Sequence, residues 1–253
     1  MNEELIPYLG GLVSIISSFF GAFASGGSVL ILLSSLFILT PYPYLSLLAT
    51  AKVAGMAMTF VSSSVHYRKT KVNRAMISVM TVTGFIGMAG ATWLIQIYPN
   101  EAFFEKMIGV MLLVFAIYLL TSKTKGLDAS GRTSFTKREL CEVAGVMVLI
   151  GFVNGFSGGM GFILNAYLIL RLKMSFIEAT AYTMISGFLV VASQAIYLAN
   201  VVEINRGLLA MVVLGSLLGG YFGTQLQYLK GNRTVKWVVT GMMFILGTAA
   251  FVQ

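Results

Sequence analysis

The sequence predicts an all-α polytopic membrane protein with two homologous halves in inverted topology, each carrying a short or re-entrant helix broken by glycine. Two observations predict this class. No charged residue or histidine occurs from Leu5 to Ala51, whereas one helical crossing of the hydrocarbon core takes roughly 20 residues. In addition, 57% of the residues are hydrophobic and only 10% are charged, a composition that is rare in soluble domains.

The second half of the chain repeats the first at an offset of 132 residues. Ser25-Gly26-Gly27 recurs as Ser157-Gly158-Gly159, and Asn73-Arg74 recurs as Asn205-Arg206. An apolar composition alone would not place the matches on serine, asparagine, arginine and glycine. Because a long repeat at a fixed offset indicates related structural units, we predict a first membrane repeat over 1–122, a connector over 123–138 and a second repeat over 139–253.

Each predicted half contains five apolar segments bounded by charges, turns or glycine. The segments are 7–24, 28–40, 44–66, 74–98 and 102–122, then 139–156, 160–172, 174–200, 205–229 and 232–252. The second segment of each half reaches only about 20 Å as a helix, short of a core roughly 30 Å thick. It is therefore either a short span or a re-entrant helix, and an odd number of crossings remains per half.

The connectors indicate that the halves are inverted. The connector 67–73 is strongly basic, whereas its repeat counterpart near 201–204 holds only Glu203 as a charged residue. Positive connectors stay on the cytoplasmic side of a membrane. We therefore predict a cytoplasmic connector 123–138 and termini on the outside. The net charge of +8 reflects these connectors and does not indicate nucleic acid; the lipid bilayer is the expected environment.

The paired Ser-Gly-Gly breaks form the first candidate site. Glycines at membrane depth interrupt a helix, and the freed amides are tolerated where they line an enclosed cavity. The helix that follows points its amides and positive dipole end into that cavity, which suits an anion. The alternative is that these glycines merely allow close helix packing. The candidate residues are Ser25, Gly26, Gly27, Ser157, Gly158 and Gly159.

Lys52 is the second candidate, because it lies near the middle of a predicted span. A charged side chain at membrane depth is costly and by default marks a substrate pathway or a counter-ion. We predict that Lys52 pairs with a bound anion; the alternatives are that it reaches the interface or pairs with Glu178. Weaker candidates are Thr50, Asn154, Asn165, Thr183 and Gln194, which could bond either substrate oxygens or a neighbouring helix.

The sequence offers little for catalysis or metal binding. It contains one histidine and one cysteine, Cys141, and its nine acidic residues lie mostly in connectors. Catalysis within a membrane needs acidic, histidine or cysteine groups clustered at depth, so we expect no enzyme, no metal and no cofactor. The acidic start of the chain, with Glu3 and Glu4, differs from a secretory signal, and we expect it to be retained.

Three pairs of motifs recur in the two predicted halves: the blocks Phe23 to Gly27 and Phe156 to Gly159, the helices from Ala49 to Gly55 and Ala181 to Gly187, and the glycine-rich stretches Gly84 to Ala91 and Gly215 to Gly223. Together they resemble the motifs of the sulfite exporter TauE/SafE family. The resemblance covers essentially the whole chain. It implies a bacterial inner-membrane carrier linked to export of sulfite, sulfonates and related organic anions. Family members often have a longer glycine run followed by proline, which Ser28-Val29-Leu30 replaces here, so the substrate stays open.

We therefore expect a secondary transporter that exports a small anion by alternating access. A cation or metal permease is the alternative, and a membrane-embedded enzyme is a weaker one. The sequence leaves open the identity of the anion, the direction of transport, the coupling ion and the oligomeric state, for which a homodimer is one option.

Overall fold

The structure is a computed structural model of the chain. It describes residues 5–97, 110, 113–114, 116–117, 120–121, 126–128, 131–132, 134–157 and 161–249, without the side chains of 95–97, 156–157 and 249. No strand occurs among these residues. The predicted all-α class is therefore confirmed.

The helices follow one another with short connections. In chain order they are α1 (Ile6–Ala24), α2 (Ser28–Leu39), α3 (Tyr44–Lys69), α4 (Arg74–Ile97), α5 (Lys137–Ser157), α6 (Gly161–Leu172), α7 (Phe176–Val201) and α8 (Arg206–Ala249). The described residues between 110 and 121 are also helical. Gly231 interrupts α8 with φ 71° and ψ 174°, so this helix consists of a part before and a part after that residue.

Five of these helices are long and apolar enough to cross a membrane, namely α1, α3, α4, α7 and α8. Together they show a membrane protein with several crossings. The 12-residue helices α2 and α6 are apolar as well, but each reaches only about 18 Å. A core roughly 30 Å thick is therefore too thick for either of them to cross alone.

The two halves have helices with matching bounds. Helix α3 begins at Tyr44 and ends at Lys69, and α7 begins at Phe176 and ends at Val201, so both ends differ by the repeat offset of 132. Arg74 and Arg206, which begin α4 and α8, differ by the same number. The third and fourth helices of each predicted half thus begin at matching positions of the repeat.

Glycine contacts join the halves. Helix α1 packs on α8, where a methyl group on Gly219 would overlap the carbonyl oxygen of Ile15. Helix α4 packs on α5 in the same manner, because a methyl group on Gly87 would overlap the carbonyl oxygen of Val148. Such close backbone approach is the usual role of small residues in membrane helices. The first helix of each half therefore packs on the fourth helix of the other.

Contacts along the helices give their relative directions. The Ser62 and Thr224 hydroxyls lie 2.8 Å apart, and His66 Nδ1 lies 2.8 Å from the Tyr228 hydroxyl, so α3 runs parallel to α8. By contrast, α3 and α7 are antiparallel: the rings of Phe60 and Phe188 are 5.5 Å apart, while Gly55, earlier in α3, faces Val191, later in α7.

Most of the described basic residues gather at one end of the bundle, which we call the basic end. A pocket of about 350 Å³ there is lined by Lys69, Lys71 and Arg132, with Tyr182 and Tyr228.

At the opposite end, the Ser46 hydroxyl donates 2.8 Å to the carbonyl of Glu203, and Asn205 Nδ2 donates 2.8 Å to the Tyr42 hydroxyl. At each end of the bundle, connectors of the two predicted halves thus lie together. The basic end carries more positive charge than the opposite end.

Candidate functional site

The first Ser-Gly-Gly segment forms a tight turn between α1 and α2. Helix α1 ends at Ala24, and Ser25 and Gly27 then take left-handed conformations with φ of 67° and 79°. Glycine adopts such angles without a steric penalty. After the turn α2 folds back along α1, because Gly21 contacts Ser28 and Gly10 faces Leu36.

This turn touches the start of α6, which belongs to the second half. A methyl group on Gly26 would lie 2.7 Å from the amide nitrogen of Phe162, and one on Gly161 would overlap the carbonyl oxygen of Ser25. The backbones at the two positions therefore contact directly. Gly158 and Gly159 lie outside the described residues, so the contact is defined from Gly161 onward on that side.

A cavity of about 90 Å³ lies beside this contact. Gly55 and Gly187, which match in the repeat, both line it and lie near the middle of α3 and α7. Since these helices cross the bundle, the cavity is close to its centre. Its lining also includes Ser25, Gly26, Gly27, Ser28, Lys52, Thr59, Asn154, Gly161, Thr183 and Met184.

Lys52 brings a charged group into this cavity. Its side chain is 1% exposed, and its Nζ donates a hydrogen bond of 2.7 Å to the carbonyl oxygen of Asn154. No described carboxylate forms an ion pair with it. Glu178, the alternative partner, instead bonds the backbone amides of Ser175 and Gly131 at the basic end. A buried lysine amine thus faces the cavity with a neutral partner.

Ser25 brings a hydroxyl into the same cavity. Its side chain is fully buried, and its Oγ has no hydrogen-bond partner among the described residues. A buried hydroxyl without a partner costs about 1–3 kcal/mol. It is also a donor available to a molecule in the cavity. The backbone amides that begin α2 lie beside it and have no acceptor within their own helix.

The comparisons with known proteins agree with this membrane architecture. The family model TauE, described as sulfite exporter TauE/SafE, matches residues 9–250. This chain belongs to the sulfite exporter TauE/SafE family. It is also 29% identical over 237 residues to a "probable membrane transporter protein" of Haemophilus influenzae (strain ATCC 51907 / DSM 11121 / KW20 / Rd), covering 92% of this chain and 90% of the relative. No solved structure matches the chain.

The family membership confirms the resemblance and the prediction of a membrane transporter. It does not test the predicted site residues, whose positions the structure gives. Six of them line the cavity of this TauE/SafE protein together: Ser25, Gly26, Gly27, Lys52, Asn154 and Thr183. Their part in substrate binding stays a prediction.

The other predicted site residues do not join the lining. The Thr50 hydroxyl donates 2.8 Å to the carbonyl of Ser46, one turn earlier in α3, and Thr50 does not line the cavity. Ser157 is the last residue of α5, and its side chain lies outside the described part. Gly158 and Gly159 lie outside it as well, so the structure does not place this half of the predicted site.

Sequence reasoning missed several groups at the site. Ser28, Thr59 and Gly161 line the cavity, and Gln227 belongs to a buried network that leads away from it. Asn165, which the sequence had offered as a weaker candidate, connects this network to Thr183. Gly55 and Gly187 were visible as repeat matches, which was the signal for their place in the lining. Thr59 gave no signal, because a threonine in a membrane helix commonly bonds its own backbone.

No metal site is apparent in the described part of the chain. It contains no group of three or more histidine, cysteine, aspartate or glutamate side chains that could hold an ion. Cys141 is exposed and lies in the first turns of α5, away from the cavity. The described cavity lining is therefore hydroxyl, amide, ammonium and apolar in character.

Proposed function

We propose that this TauE/SafE membrane transporter is a secondary exporter of a small anion, such as sulfite, a sulfonate or a related organic anion. The observation that carries the proposal is Lys52, a buried ammonium in the central cavity whose described partner is a neutral carbonyl. A buried charge needs a compensating charge nearby. A bound anion supplies that charge in the cavity, since no described carboxylate does.

The charge of the cavity suits an anion with one or two negative charges. Lys52 contributes one positive charge, and each helix N-terminus contributes roughly half a charge. The starts of α2 and α6 both line the cavity, through Ser28 and Gly161. The Ser25 hydroxyl adds a donor of the kind that binds sulfonate or sulfite oxygens.

The size of the cavity suits a small substrate. About 90 Å³ of the cavity is open to the centre of a water-sized molecule, which is room for a few waters or one small ion. Inorganic oxyanions and short sulfonates are of this size, whereas nucleotides and lipids are far larger. The apolar side chains of Met58, Leu164 and Met184 could accompany the carbon atoms of an organic anion.

The helix directions support inverted halves and hence alternating access. Repeat counterparts α3 and α7 are antiparallel, as their contacts show. A chain with two inverted repeats and a midplane site can move one repeat against the other and expose the site to either face in turn. The cavity lies between these counterpart helices, as this mechanism requires.

The charge distribution supports an inner-membrane protein with its basic end in the cytoplasm. Lys69, Lys71 and Arg132 line the pocket at that end together with one carboxylate, that of Glu178. The excess of positive charge would raise the local concentration of anions. Anions would therefore be captured faster from the cytoplasmic side, the side from which an exporter loads.

Replacing Lys52 tests the anion site. We expect that purified wild-type protein melts at a higher temperature with methanesulfonate or sulfite, because a ligand of the folded state stabilises it. In Lys52→Met the anion should bind about 10- to 100-fold more weakly, since one charge-assisted hydrogen bond is lost. Lys236→Met is the matched control, because Lys236 is also buried but does not line the cavity.

The same assay separates the alternatives. Stabilisation by divalent cations with no response to any of sulfite, sulfonates, carboxylates and halides would contradict the proposal and favour a cation permease. An equal loss of anion binding in Lys52→Met and Lys236→Met would remove Lys52 from the site. Transport should follow binding: at the same low concentration, proteoliposomes with Lys52→Met should accumulate far less labelled methanesulfonate than wild-type proteoliposomes.

A further inference from the structure

Two buried glutamines bond equivalent carbonyls of the two halves. Gln227 Nε2 in α8 donates 3.0 Å to the carbonyl oxygen of Phe23, near the end of α1. Gln194 Nε2 in α7 donates 2.9 Å to the carbonyl oxygen of Gly155, near the end of α5. Phe23 and Gly155 differ by 132, so they are repeat counterparts. Each carbonyl precedes a Ser-Gly-Gly segment.

The two glutamines lie on opposite sides of the cavity. Gln227 is next to Tyr228, whose hydroxyl lies 2.6 Å from that of Thr70 at the basic end. Gln194 lies about two turns beyond Gly187, towards the end of α7 that meets the opposite connectors, and it also donates to the Thr92 hydroxyl at 3.2 Å. One bond therefore lies on the basic side of the cavity and the other lies on the opposite side.

On the basic side, hydrogen bonds connect Gln227 to the cavity. Gln227 Nε2 and Asn165 Nδ2 both donate 3.1 Å to the Thr180 hydroxyl oxygen. The Thr183 hydroxyl then donates 2.7 Å to Asn165 Oδ1, and Thr183 lines the cavity. This chain of bonds joins α1, α6, α7 and α8 between the cavity and the basic end.

On the opposite side, the connection to the cavity is shorter. Lys52 Nζ bonds the carbonyl of Asn154, and the next carbonyl along α5, that of Gly155, is the one that Gln194 holds. Two side chains thus bond the last turn of α5: Lys52, which lines the cavity, and Gln194.

The need to cap free helix carbonyls does not by itself explain why glutamines are buried at these two positions. The carbonyls in the last turn of a helix lack intrahelical donors and need partners, which the Nε2 atoms supply. However, Oε1 of both Gln227 and Gln194 is buried with no partner among the described residues, which costs about 1–3 kcal/mol each. Water that enters when one side opens would bond that oxygen and offset the broken Nε2 bonds. The amides are therefore suited to bonds that form and break.

We propose that Gln227 and Gln194 are the latches of two gates, Gln227 towards the basic end and Gln194 towards the opposite end. An anion in the cavity loosens the Gln227 latch by drawing the Thr183 hydroxyl from Asn165, because charged acceptors form stronger hydrogen bonds than neutral ones. This inference rests on the proposed alternating access, and each latch breaks in only one of the two open states.

Thiol accessibility tests the latches without requiring transport. Cys141→Ser removes the natural thiol, and Met184→Cys places a reporter in the cavity lining. An impermeant thiol reagent is then applied to inside-out and right-side-out vesicles. We expect Gln227→Met to raise the labelling rate about 10-fold from the face of the basic end alone, since it removes two hydrogen bonds. Gln194→Met should do so from the opposite face alone.

Matched variants separate a latch from a general loss of structure. Thr180→Val and Thr92→Val remove one acceptor from each network with almost no change of shape, and each should give the same sidedness as its glutamine partner. Gln225→Met is the control on α8, because Gln225 Oε1 bonds Lys69 near the surface and should leave labelling unchanged. Methanesulfonate should accelerate labelling from the basic face in the wild-type background.

Two results would overturn the latches. One is unchanged labelling in folded Gln227→Met, Gln194→Met, Thr180→Val and Thr92→Val, and the other is equal acceleration from both faces. Neither result would touch the anion site, which the binding assay with Lys52→Met measures separately. Conversely, one-sided acceleration in the absence of any anion binding would support the latches and contradict the proposed substrate class.

Discussion

The hydroxyl of Ser25 differs from the other buried serine hydroxyls nearby. Ser14 Oγ donates 2.6 Å to the carbonyl of Val212 and lies 2.7 Å from Ser216 Oγ, so it already contributes to the packing of α1 on α8. Ser25 Oγ has no such partner but lines the cavity. Ser14 therefore stabilises the packing of α1 on α8, whereas Ser25 offers its hydroxyl to a molecule in the cavity.

Alanine at each serine should give opposite effects. Ser25→Ala should weaken methanesulfonate binding about 2- to 10-fold, the equivalent of one hydrogen bond, and should raise the melting temperature of the empty protein, because it removes a buried hydroxyl that has no partner among the described residues. Ser14→Ala should lower the free energy of unfolding by about 1 kcal/mol with unchanged affinity. Thermal melting with and without ligand measures both, and a loss of stability without a loss of affinity in Ser25→Ala would contradict the assignment.

At the residue scale, the sequence predicted that Lys52 belongs to the site. It did not predict which neighbouring side chains face the cavity. Lys52 stood out because a lysine in an apolar run has few roles. Thr50 has the same chemistry as Thr183, yet two helical residues turn about 200°, so Thr50 faces away from the cavity that Lys52 lines. The pattern of α3 did not predict which face points inward, because its hydroxyl, small and apolar residues are spread around the whole helix.

At the element scale, the glycines of α4 and α8 set the distance between helices. Gly87 and Gly219 are repeat counterparts, and each approaches a carbonyl of the helix it packs against: that of Val148 for Gly87 and that of Ile15 for Gly219. A backbone atom moves only with its helix, whereas a side chain can rotate away. The two positions should therefore respond alike to an added methyl group.

Gly87→Ala and Gly219→Ala should each destabilise the fold by about 1–3 kcal/mol, the cost of overpacking. Gly145→Ala is the control, because a methyl group there has no neighbour within 4 Å and alanine favours the helix. Melting temperatures in detergent measure the effect. Tolerance of both substitutions would mean that the helices can separate, and tolerance of only one would contradict equivalent packing in the halves.

The bounds of most helices could be predicted from sequence, because charges and turn residues mark their ends. Tyr44 begins α3 directly after Pro43, and Arg74 begins α4 after Asn73, whose Oδ1 accepts the amide of Met76 as a helix cap does. Gly231 follows the same rule. Separate helices over 205–229 and 232–252 were expected around it, and its φ of 71° and ψ of 174° interrupt α8 at that point.

At the scale of the whole molecule, sequence could predict two halves but not how they meet. Matching residues revealed the offset, and charge in the connectors indicated opposite orientations. The contact between Gly26 and Phe162, the volume of the cavity and the pairing of Gln227 with Phe23 depend on packing between distant segments. The sequence carries no local signal for such contacts, because each side chain involved is common in membrane helices.

The orientation of the halves has a direct test at repeat counterparts. Lys71 and Glu203 differ by 132, as do Pro41 and Lys173, and all four are exposed. In a parallel duplication both members of a pair would lie on the same face of the membrane, whereas in an inverted one they lie on opposite faces. We expect opposite faces, because α3 and its counterpart α7 are antiparallel.

Single cysteines at these four positions, in a Cys141→Ser background, measure the orientation. An impermeant maleimide should label Lys71→Cys and Lys173→Cys in inside-out vesicles only, and Glu203→Cys and Pro41→Cys in right-side-out vesicles only. The basic end would then be cytoplasmic, as positive connectors require. Labelling of Lys71→Cys and Glu203→Cys from one face would contradict inversion. Labelling of every position from the face opposite to the expected one would preserve inversion but reverse the proposed direction of export.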